Sequence, residues 1–369
     1  MSVLTVIVLA FSALGALDVI LGNKIGVGEE FKRGFTIFCP MALSMIGMIV
    51  IAPAVGVWLE PFFDGFYNTF GIDPSIIPAS LLANDMGGTS LALTVAKSEA
   101  VGKFNALVVS SMMGCIISFT IPFTMGMVKS ERHRELFIGL ICGIAAVPIG
   151  CFAAGLVSGL GVLVVLFDLL PIIILSLIVG VALVFAREIC IKFFGIFGLI
   201  IKIVAMIGLM LSIFTLLTGI TVNPHFDSFE NAAFICAYGC VTLSGMLPLM
   251  FLLSKLVGKV LKRAGDKLKI DETSALSLMG SLVTLASTFS VTEKMNKKGL
   301  VINAAFGATA AYVFGGHLSF TMIYDAGYAA PMIVGKLVAG VFALIFALLI
   351  YKDNDERDEE RKDLRKNAE

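Results

Sequence analysis

Long apolar runs separated by short polar segments occupy almost the whole chain. Nine of these runs approach or exceed the ~18 residues that a helix needs to cross a bilayer. They lie at about residues 3–21, 34–56, 103–127, 136–158, 162–186, 193–218, 232–254, 299–323 and 331–351. Two weaker runs, at about 74–97 and 272–292, carry Ser, Thr, Asn and Gly in their middle. The pattern predicts an all-α, polytopic membrane protein with two interrupted segments.

Composition supports a membrane protein and narrows the chemistry. Of the 369 residues, 58% are hydrophobic and 15% are charged, whereas soluble domains carry roughly 25% charged residues. The net charge of zero gives no indication of a nucleic-acid partner. The seven cysteines lack CxxC spacing, and the sequence contains no HExxH, GxSxG or Walker motif. We therefore expect no metal, no cofactor and no catalytic site. The first run lacks a basic leader and is predicted to be an uncleaved helix.

The distribution of Lys and Arg predicts the orientation of the chain in the membrane. Basic residues are absent from the segments 57–75, 159–161, 219–231 and 324–330. If the nine strong runs cross the membrane and the two weak runs do not, every basic cluster except Lys97 and Lys103 falls on one side. We therefore expect two re-entrant hairpins, the first entering from outside and the second from the cytoplasm. The protein is predicted to be a multi-pass protein of the cell membrane, with the charged tail 352–369 in the cytoplasm.

Three pairs of short strings repeat at a common offset of about 196 to 201 residues. The pairs are "CPMALSMIG" (39–47) with "CVTLSGMLP" (240–248), "GKFNAL" (102–107) with "GLVINAAF" (299–306), and "FIGLICGI" (137–144) with "IVGKLVAGV" (333–341). The offset predicts a first repeat over 1–160, a connector helix over 161–188 and a second repeat over 189–351. Each repeat has about four transmembrane helices and one hairpin. Four crossings and the connector make five, and this odd number means that the second repeat is inverted relative to the first. Inverted repeats with discontinuous helices are typical of secondary transporters.

The first hairpin carries the sequence "NDMGG", residues 84–88, in its middle. An ionised aspartate inside a membrane costs ~2.5–3.5 kcal/mol on insertion scales, so Asp85 needs a partner or a function. At a hairpin tip, its carboxylate and the free carbonyls of a half-helix would together bind a small cation. Glycine reaches positive φ without steric cost, which would allow the chain to reverse. We therefore assign Asn84, Asp85, Gly87, Gly88 and Thr89 to a candidate binding site. The alternative is that Asp85 only caps the following helix.

Other polar residues in apolar surroundings are further candidates, each with an open alternative. Asn105 and Asn303 occupy matching positions in the two halves, and they either bind substrate or join neighbouring elements. The second hairpin offers hydroxyls that bind a substrate alcohol or only satisfy their own backbone. These hydroxyls belong to Thr284, Ser287 and Thr288. His317 is either a proton-coupling group or a satisfied core histidine.

Three charged residues within apolar runs have simpler expected roles. Lys336 is expected to snorkel to the membrane surface. Asp18 and Asp168 are expected to snorkel or to bond between helices.

Five strings occur in an order and spacing that resemble one protein family over nearly the full chain. They are "LLANDMGG" (81–88), "SMMG" (111–114), "VINAAF" (301–306), "GGHLSF" (315–320) and "PMIVGKL" (331–337). The chain resembles the ethanolamine-utilisation permeases of bacteria, which implies uptake of ethanolamine, a small protonated amino alcohol. Two positions depart from the family's pattern. Gly316 stands where better-known members have an acid, and Thr284–Leu285 stands where they have two asparagines.

A secondary transporter that imports ethanolamine by alternating access, with opposed hairpins, is therefore the leading hypothesis. Its expected partners are ethanolamine and the lipid bilayer, and the sequence leaves homo-oligomerisation and the coupling ion open. A transporter of another small organic cation or amine, a passive channel and an integral-membrane enzyme are the alternatives. The presence of only three histidines and the lack of a soluble domain count against the enzyme.

Overall fold

The computed structural model describes residues 3–351, and these residues form helices joined by short turns, with no β-strand among them. The predicted tail, residues 352–369, lies outside the described residues. Within the described range, eight helical stretches are long and apolar enough to cross a membrane. The prediction of an all-α protein with several candidate membrane-spanning helices is therefore confirmed.

The helices of the first part of the chain precede the predicted connector. They are α1 (Val3–Ile20), α2 (Val27–Thr36), α3 (Phe38–Trp58), α4 (Glu60–Phe70), α5 (Ile76–Leu81), α6 (Thr89–Val95), α7 (Glu99–Met127) and α8 (His133–Val157). α7 is continuous but contains wider π-type turns over Asn105–Gly114 and Ile116–Thr120. Such turns are frequent at functional sites.

The remaining helices run from the predicted connector to the last described residues. They are α9 (Val162–Asp168), α10 (Leu170–Phe185), α11 (Arg187–Thr218), α12 (Phe229–Leu268), α13 (Glu272–Ser281), α14 (Leu285–Phe289), α15 (Lys297–Ala310), α16 (Gly316–Asp325) and α17 (Ala329–Ile350). α10 and α11 carry exposed large apolar side chains such as Leu177 and Ile189, which are 68% and 71% exposed. Apolar surface on this scale suits contact with a membrane.

The prediction of one continuous crossing over 299–323 is wrong. The chain forms α15 and α16 there, separated by an irregular segment, 311–315, in which Tyr312 has φ +61°. The backbone N–H groups of Tyr312 and Phe314 leave the helix and donate to the carbonyls of Ser281 and Leu282 (3.1 and 2.9 Å). The break is therefore stabilised by contacts with the second weak segment, and it leaves eight candidate spans where the sequence predicts nine.

The two ends of each weak segment lie side by side, and an aspartate at the first end joins them by hydrogen bonds. Asp73 Oδ2 accepts hydrogen bonds from the backbone N–H groups of Lys97 and Ser98 (3.0 and 2.8 Å). Asp271 Oδ2 accepts one from the backbone N–H of Asn296 (2.7 Å). We call the stretches 73–98 and 271–296 the first and second hairpins.

Each hairpin base lies beside a segment that flanks α8 in the sequence, and the 25 residues of α8 correspond to roughly 37 Å of helix. Just before α8, Arg132 Nη2 donates to the carbonyl of Met295 beside the second base (2.8 Å). Just after α8, Asp168 and Asp73 of the first base line a common cavity of about 350 Å³. The second base therefore lies beside the segment that precedes α8, and the first base lies beside the end of α9.

Candidate functional site

A cavity of about 290 Å³ lies where the first hairpin meets the break before α16. Its walls come from α3, the hairpin tip, α7 and the segment 311–317. The lining residues are Pro40, Met41, Ser44, Met45, Asp85, Met86, Cys115, Phe119, Tyr312 and His317. The volume lies near the lower end of the range for small-molecule pockets, about 300–1,000 Å³. We call this space the central cavity.

The tip of the first hairpin needs its two glycines for different reasons. Gly87 has φ +87°, the left-handed region that glycine enters without steric cost. Gly88 has φ −58° and does not need that freedom. A Cβ on Gly88 would instead collide with the carbonyls of Leu82 and Ala83 and with Ser110 Oγ. The expectation that both glycines serve the reversal by their φ angle is therefore wrong for Gly88, which permits close packing.

Asp85 lies at this tip and is partly accessible to the central cavity. Within the described part of the chain, α6 begins at Thr89 without a side-chain cap, so Asp85 does not cap it. Its carboxylate instead faces the start of α16, and a Cβ on Gly316 would lie 3.9 Å from Asp85 Oδ2. The N-terminal end of a helix carries partial positive charge, which stabilises a nearby carboxylate.

Aromatic and thioether side chains surround the carboxylate. The rings of Tyr312 and His317 lie 5.0 Å apart, and Tyr312 meets Phe119 edge to face at 6.0 Å. Met41, Met45 and Met86 complete the apolar wall. One carboxylate within aromatic faces is suited to an ammonium group, because ring faces attract cations.

Lys336 of α17 is the residue that sequence reasoning misjudged most. It does not snorkel: its side chain is 1% exposed. Its Nζ donates to the carbonyl of Ser111 (2.6 Å) and lies 3.2 Å from His317 Nδ1. The ammonium group of Lys336 and the carboxylate of Asp85 also attract each other electrostatically. The signal that could have found it is a lysine well inside an apolar run, but its partners are not readable from the sequence.

Two other predicted residues stand beside the central cavity without lining it. Asn84 is buried, its Oδ1 accepts from the backbone N–H of Asp85 (3.0 Å), and its Nδ2 lies 3.5 Å from the carbonyl of His317. Thr89 is buried and donates to the carbonyl of Ala106 (2.8 Å). Asn84 therefore fixes the hairpin tip against α16, and Thr89 holds α6 against α7.

Asn105 and Asn303 lie away from the central cavity, at the hairpin bases. Asn105 Nδ2 donates to Ser75 Oγ (3.0 Å) and lies 3.3 Å from Asp168 Oδ1. Asn303 Nδ2 donates to the carbonyl of Ser274 (2.9 Å). The structure thus favours the joining role for both asparagines.

The hydroxyls of the second hairpin are divided between a second cavity and the packed interior. Thr284 and Ser287 line a space of about 440 Å³ that also contacts Arg33 and Lys255. Thr284 Oγ1 caps α14, and Ser287 Oγ donates to the Thr284 carbonyl (2.8 Å). Thr288 is buried and donates to the carbonyl of Ser277 (2.9 Å). These three hydroxyls satisfy backbone groups and do not line the central cavity.

The amino-acid sequence matches a known protein family. The family model described as "Ethanolamine utilisation protein, EutH" matches residues 1–350. The chain is 38% identical to the probable ethanolamine permease EutH of Listeria monocytogenes over 344 residues, covering 93% of this chain and 92% of that protein. It is 31% identical to the protein of the same name from Salmonella typhimurium, covering 89% of this chain and 87% of that protein.

A third relative is the uncharacterized protein YxeR of Bacillus subtilis, which is 36% identical over 337 residues and covers 91% of each chain. No solved structure matches the chain. The family match over almost all described residues and the full-length relatives above 30% identity lead to one conclusion. The chain belongs to the EutH family of ethanolamine utilisation proteins.

Proposed function

We propose that the protein is a secondary transporter that imports protonated ethanolamine across the cytoplasmic membrane. The observation that carries this proposal is a single carboxylate, Asp85, in a small aromatic-lined cavity at the tip of the first hairpin. Two relatives are named as probable ethanolamine permeases, and neither name describes an enzyme.

The chemistry of the cargo fits the central cavity. The ethanolamine amine resembles that of lysine, with a pKa of roughly 10.4, so it is almost wholly charged at neutral pH. The ammonium group would lie between Asp85 and the faces of Tyr312 and Phe119. Irregular backbone at membrane depth is tolerated where it lines a cavity of this kind.

The hairpins suggest how the cavity is exposed alternately to the two sides. Asp73 and Asp271 close the two bases and are 198 residues apart, as are Asn105 and Asn303. We take these pairs as equivalent positions of an inverted repeat, with residues 1–160 and 189–351 as its halves and 161–188 as the connector. The C-terminus is then cytoplasmic, and the second cavity, beside Arg33 and Lys255, is the inner exit.

Uptake by purified protein in liposomes tests the proposal. Ethanolamine uptake should saturate, and it should be inhibited by ethylamine, which keeps the ammonium group. Ethylene glycol, which lacks the amine, should not inhibit. Inhibition by the diol but not by the amine would overturn the assignment of Asp85 to the ammonium group. Conversion of ethanolamine to another compound would instead indicate an enzyme.

A reversible cross-link tests the movement of the first hairpin against α3. A Cβ on Gly56 would lie 3.1 Å from Thr94 Cβ, near the Cβ–Cβ distance of about 3.5–4.5 Å in disulfides. Cys39 is the exposed native cysteine among the described residues and should be replaced first. Oxidation of the variant with Gly56→Cys and Thr94→Cys should then stop uptake, and reduction should restore it. Each single variant is the control, and undiminished uptake after complete oxidation would contradict this movement.

A further inference from the structure

Lys336 carries a buried positive charge, and its two hydrogen-bond partners carry no negative charge. Its ammonium group is buried near the middle of the bundle, held by the Ser111 carbonyl at 2.6 Å and by His317 Nδ1 at 3.2 Å. A lone buried charge is costly unless it is paired and hydrogen-bonded. Neither the carbonyl nor a neutral imidazole supplies the missing negative charge.

The titratable groups facing Lys336 come from four surrounding elements. They are Asp85 on the first hairpin, His317 on α16, Cys115 on α7 and Cys151 on α8. Among them Asp85 is the carboxylate. The cavity is thus electrically balanced when Asp85 is ionised and Lys336 is protonated. Entry of a substrate ammonium would add a second positive charge beside one carboxylate.

We infer that Lys336 is a built-in counter-cation of Asp85 that gives up a proton when the substrate ammonium binds, so that the protein exchanges one ethanolamine cation for one proton. This inference rests on the proposed function. Lysine suits the role because its charge, unlike that of arginine, is readily lost in a buried setting. The substrate then takes over the ion pair with Asp85.

The proton has a short route out of the buried site. The Nζ–H bond of Lys336 breaks, and the proton is accepted by the lone pair of His317 Nδ1, 3.2 Å away. The imidazole then releases the proton on Nε2 to water in the central cavity, which His317 lines. Lys336 remains neutral while the substrate is bound and takes a proton from the opposite side after the substrate has left.

Such an exchange moves no net charge across the membrane. A lone monovalent cation would instead change its accumulation about tenfold for each ~60 mV of membrane potential. We expect the potential to change ethanolamine uptake by the wild-type protein less than twofold. An outward proton gradient should accelerate uptake, and protons should leave the liposome lumen as ethanolamine enters.

The experiment uses liposomes at pH 6.4, with potassium gradients and valinomycin to set the potential and a pH-sensitive dye inside. At this pH roughly one molecule in ten thousand of a lysine-like amine is uncharged, so leakage of the free base is small and is subtracted with protein-free vesicles. Tenfold stimulation of wild-type uptake by 60 mV without lumenal alkalinisation would overturn the exchange. Absence of any saturable wild-type uptake would instead overturn the proposed function.

Substitution of the lysine gives a second readout. Lys336→Met should still bind ethanolamine, but its remaining uptake should follow the membrane potential and release no protons. Lys202→Met is the matched control, since Lys202 is an exposed lysine within α11, and it should behave as the wild type does. Potential-independent, proton-releasing uptake by Lys336→Met would contradict the role of Lys336. If that variant does not fold, the wild-type measurement still decides the exchange.

Discussion

Replacement of Asp85 by asparagine removes one charge from the central cavity and changes its shape very little. At an effective dielectric constant of about 20, a carboxylate and an ammonium group about 4 Å apart attract each other by ~4 kcal/mol. Lost hydration offsets part of this attraction, and a hydrogen bond to a charged group contributes a net ~1.5–3 kcal/mol. Because each ~1.4 kcal/mol is a factor of ten, we expect Asp85→Asn to lower ethanolamine affinity by at least about tenfold.

The surroundings of Asp85 make the larger end of this range the more reasonable expectation. In the variant, the lining of the central cavity no longer includes a carboxylate, so the substrate ammonium meets no counter-charge there. Folding should be affected less, because Asp85 does not cap α6. Asp64→Asn is a matched control: the Asp64 carboxylate pairs with Lys97 near the surface, where ion pairs contribute about 0–1 kcal/mol.

Initial rates of uptake over a range of ethanolamine concentrations measure the effect. Cells that depend on Asp85→Asn should grow poorly in mildly acidic medium with scarce ethanolamine, and better in alkaline medium, where more uncharged base crosses the bilayer unaided. The Asp64→Asn protein should match the wild type in both assays. Wild-type affinity of Asp85→Asn at acidic pH would refute the assignment of the carboxylate to the substrate.

Three further substitutions test the parts of the fold that hold the site. Gly88→Ala should lose ~1–3 kcal/mol of stability, because a Cβ there meets carbonyls of the preceding turn. Gly65→Ala is the control, since a Cβ on Gly65 has no atom within 4 Å. Thermal unfolding in detergent compares the two variants, and equal melting temperatures would contradict the close packing at Gly88. Asp73→Asn should lower the melting temperature without changing ethanolamine affinity, since its bonds close the hairpin base; an affinity change at unaltered stability would instead place Asp73 in the binding site. Partial burial raises the pKa of Asp271, but hydrogen bonds from α13 and from Asn296 outweigh it and hold this pKa below the ordinary 3.8. The ionised Asp271 carboxylate therefore stabilises the fold above pH 3.8, and this contribution is lost as the pH falls below that value. The melting temperature of Asp271→Asn should depend less on pH between about 6 and 3 than that of the wild type. An equal dependence would contradict the stabilising role of the carboxylate.

The sequence marks both weak segments because their signal is local. Polar residues in the middle of short apolar runs marked about 74–97 and 272–292, and the hairpins occupy 73–98 and 271–296. The charge bias then argued that neither segment crosses the membrane. Periodicity and composition are sufficient for such features, since each is encoded within a few turns of chain.

The break before α16 was not predicted because its cause lies elsewhere in the chain. Residues 299–323 are predominantly apolar and carry no Asp, Glu, Lys or Arg, so hydropathy favours one uninterrupted helix. The helix opens where Tyr312 and Phe314 donate to carbonyls of the second hairpin, about 30 residues earlier in sequence. Lys336 was misjudged for the same reason, since its carbonyl partner, Ser111, is 225 residues away.

The tip of the first hairpin and the segment 311–315 are bonded to different neighbours, so a movement of the second hairpin would change the shape of the central cavity. At the first tip, Ser110 donates to the Leu82 carbonyl and Ser118 accepts from the Ala83 N–H, so α7 holds this tip (2.8 and 3.0 Å). At the break before α16, the backbone N–H groups of Tyr312 and Phe314 donate instead to carbonyls of the second hairpin. Buried backbone groups that lose a partner cost ~1–3 kcal/mol each. A shift of the second hairpin must therefore either carry the segment 311–315 with it or break two such bonds. Carrying the segment is the less costly course, and it would move the cavity wall formed by Tyr312 relative to Asp85, whose hairpin tip is bonded to α7. Under the proposed alternating access, this movement would loosen the contact between Tyr312 and the substrate ammonium as the second cavity opens.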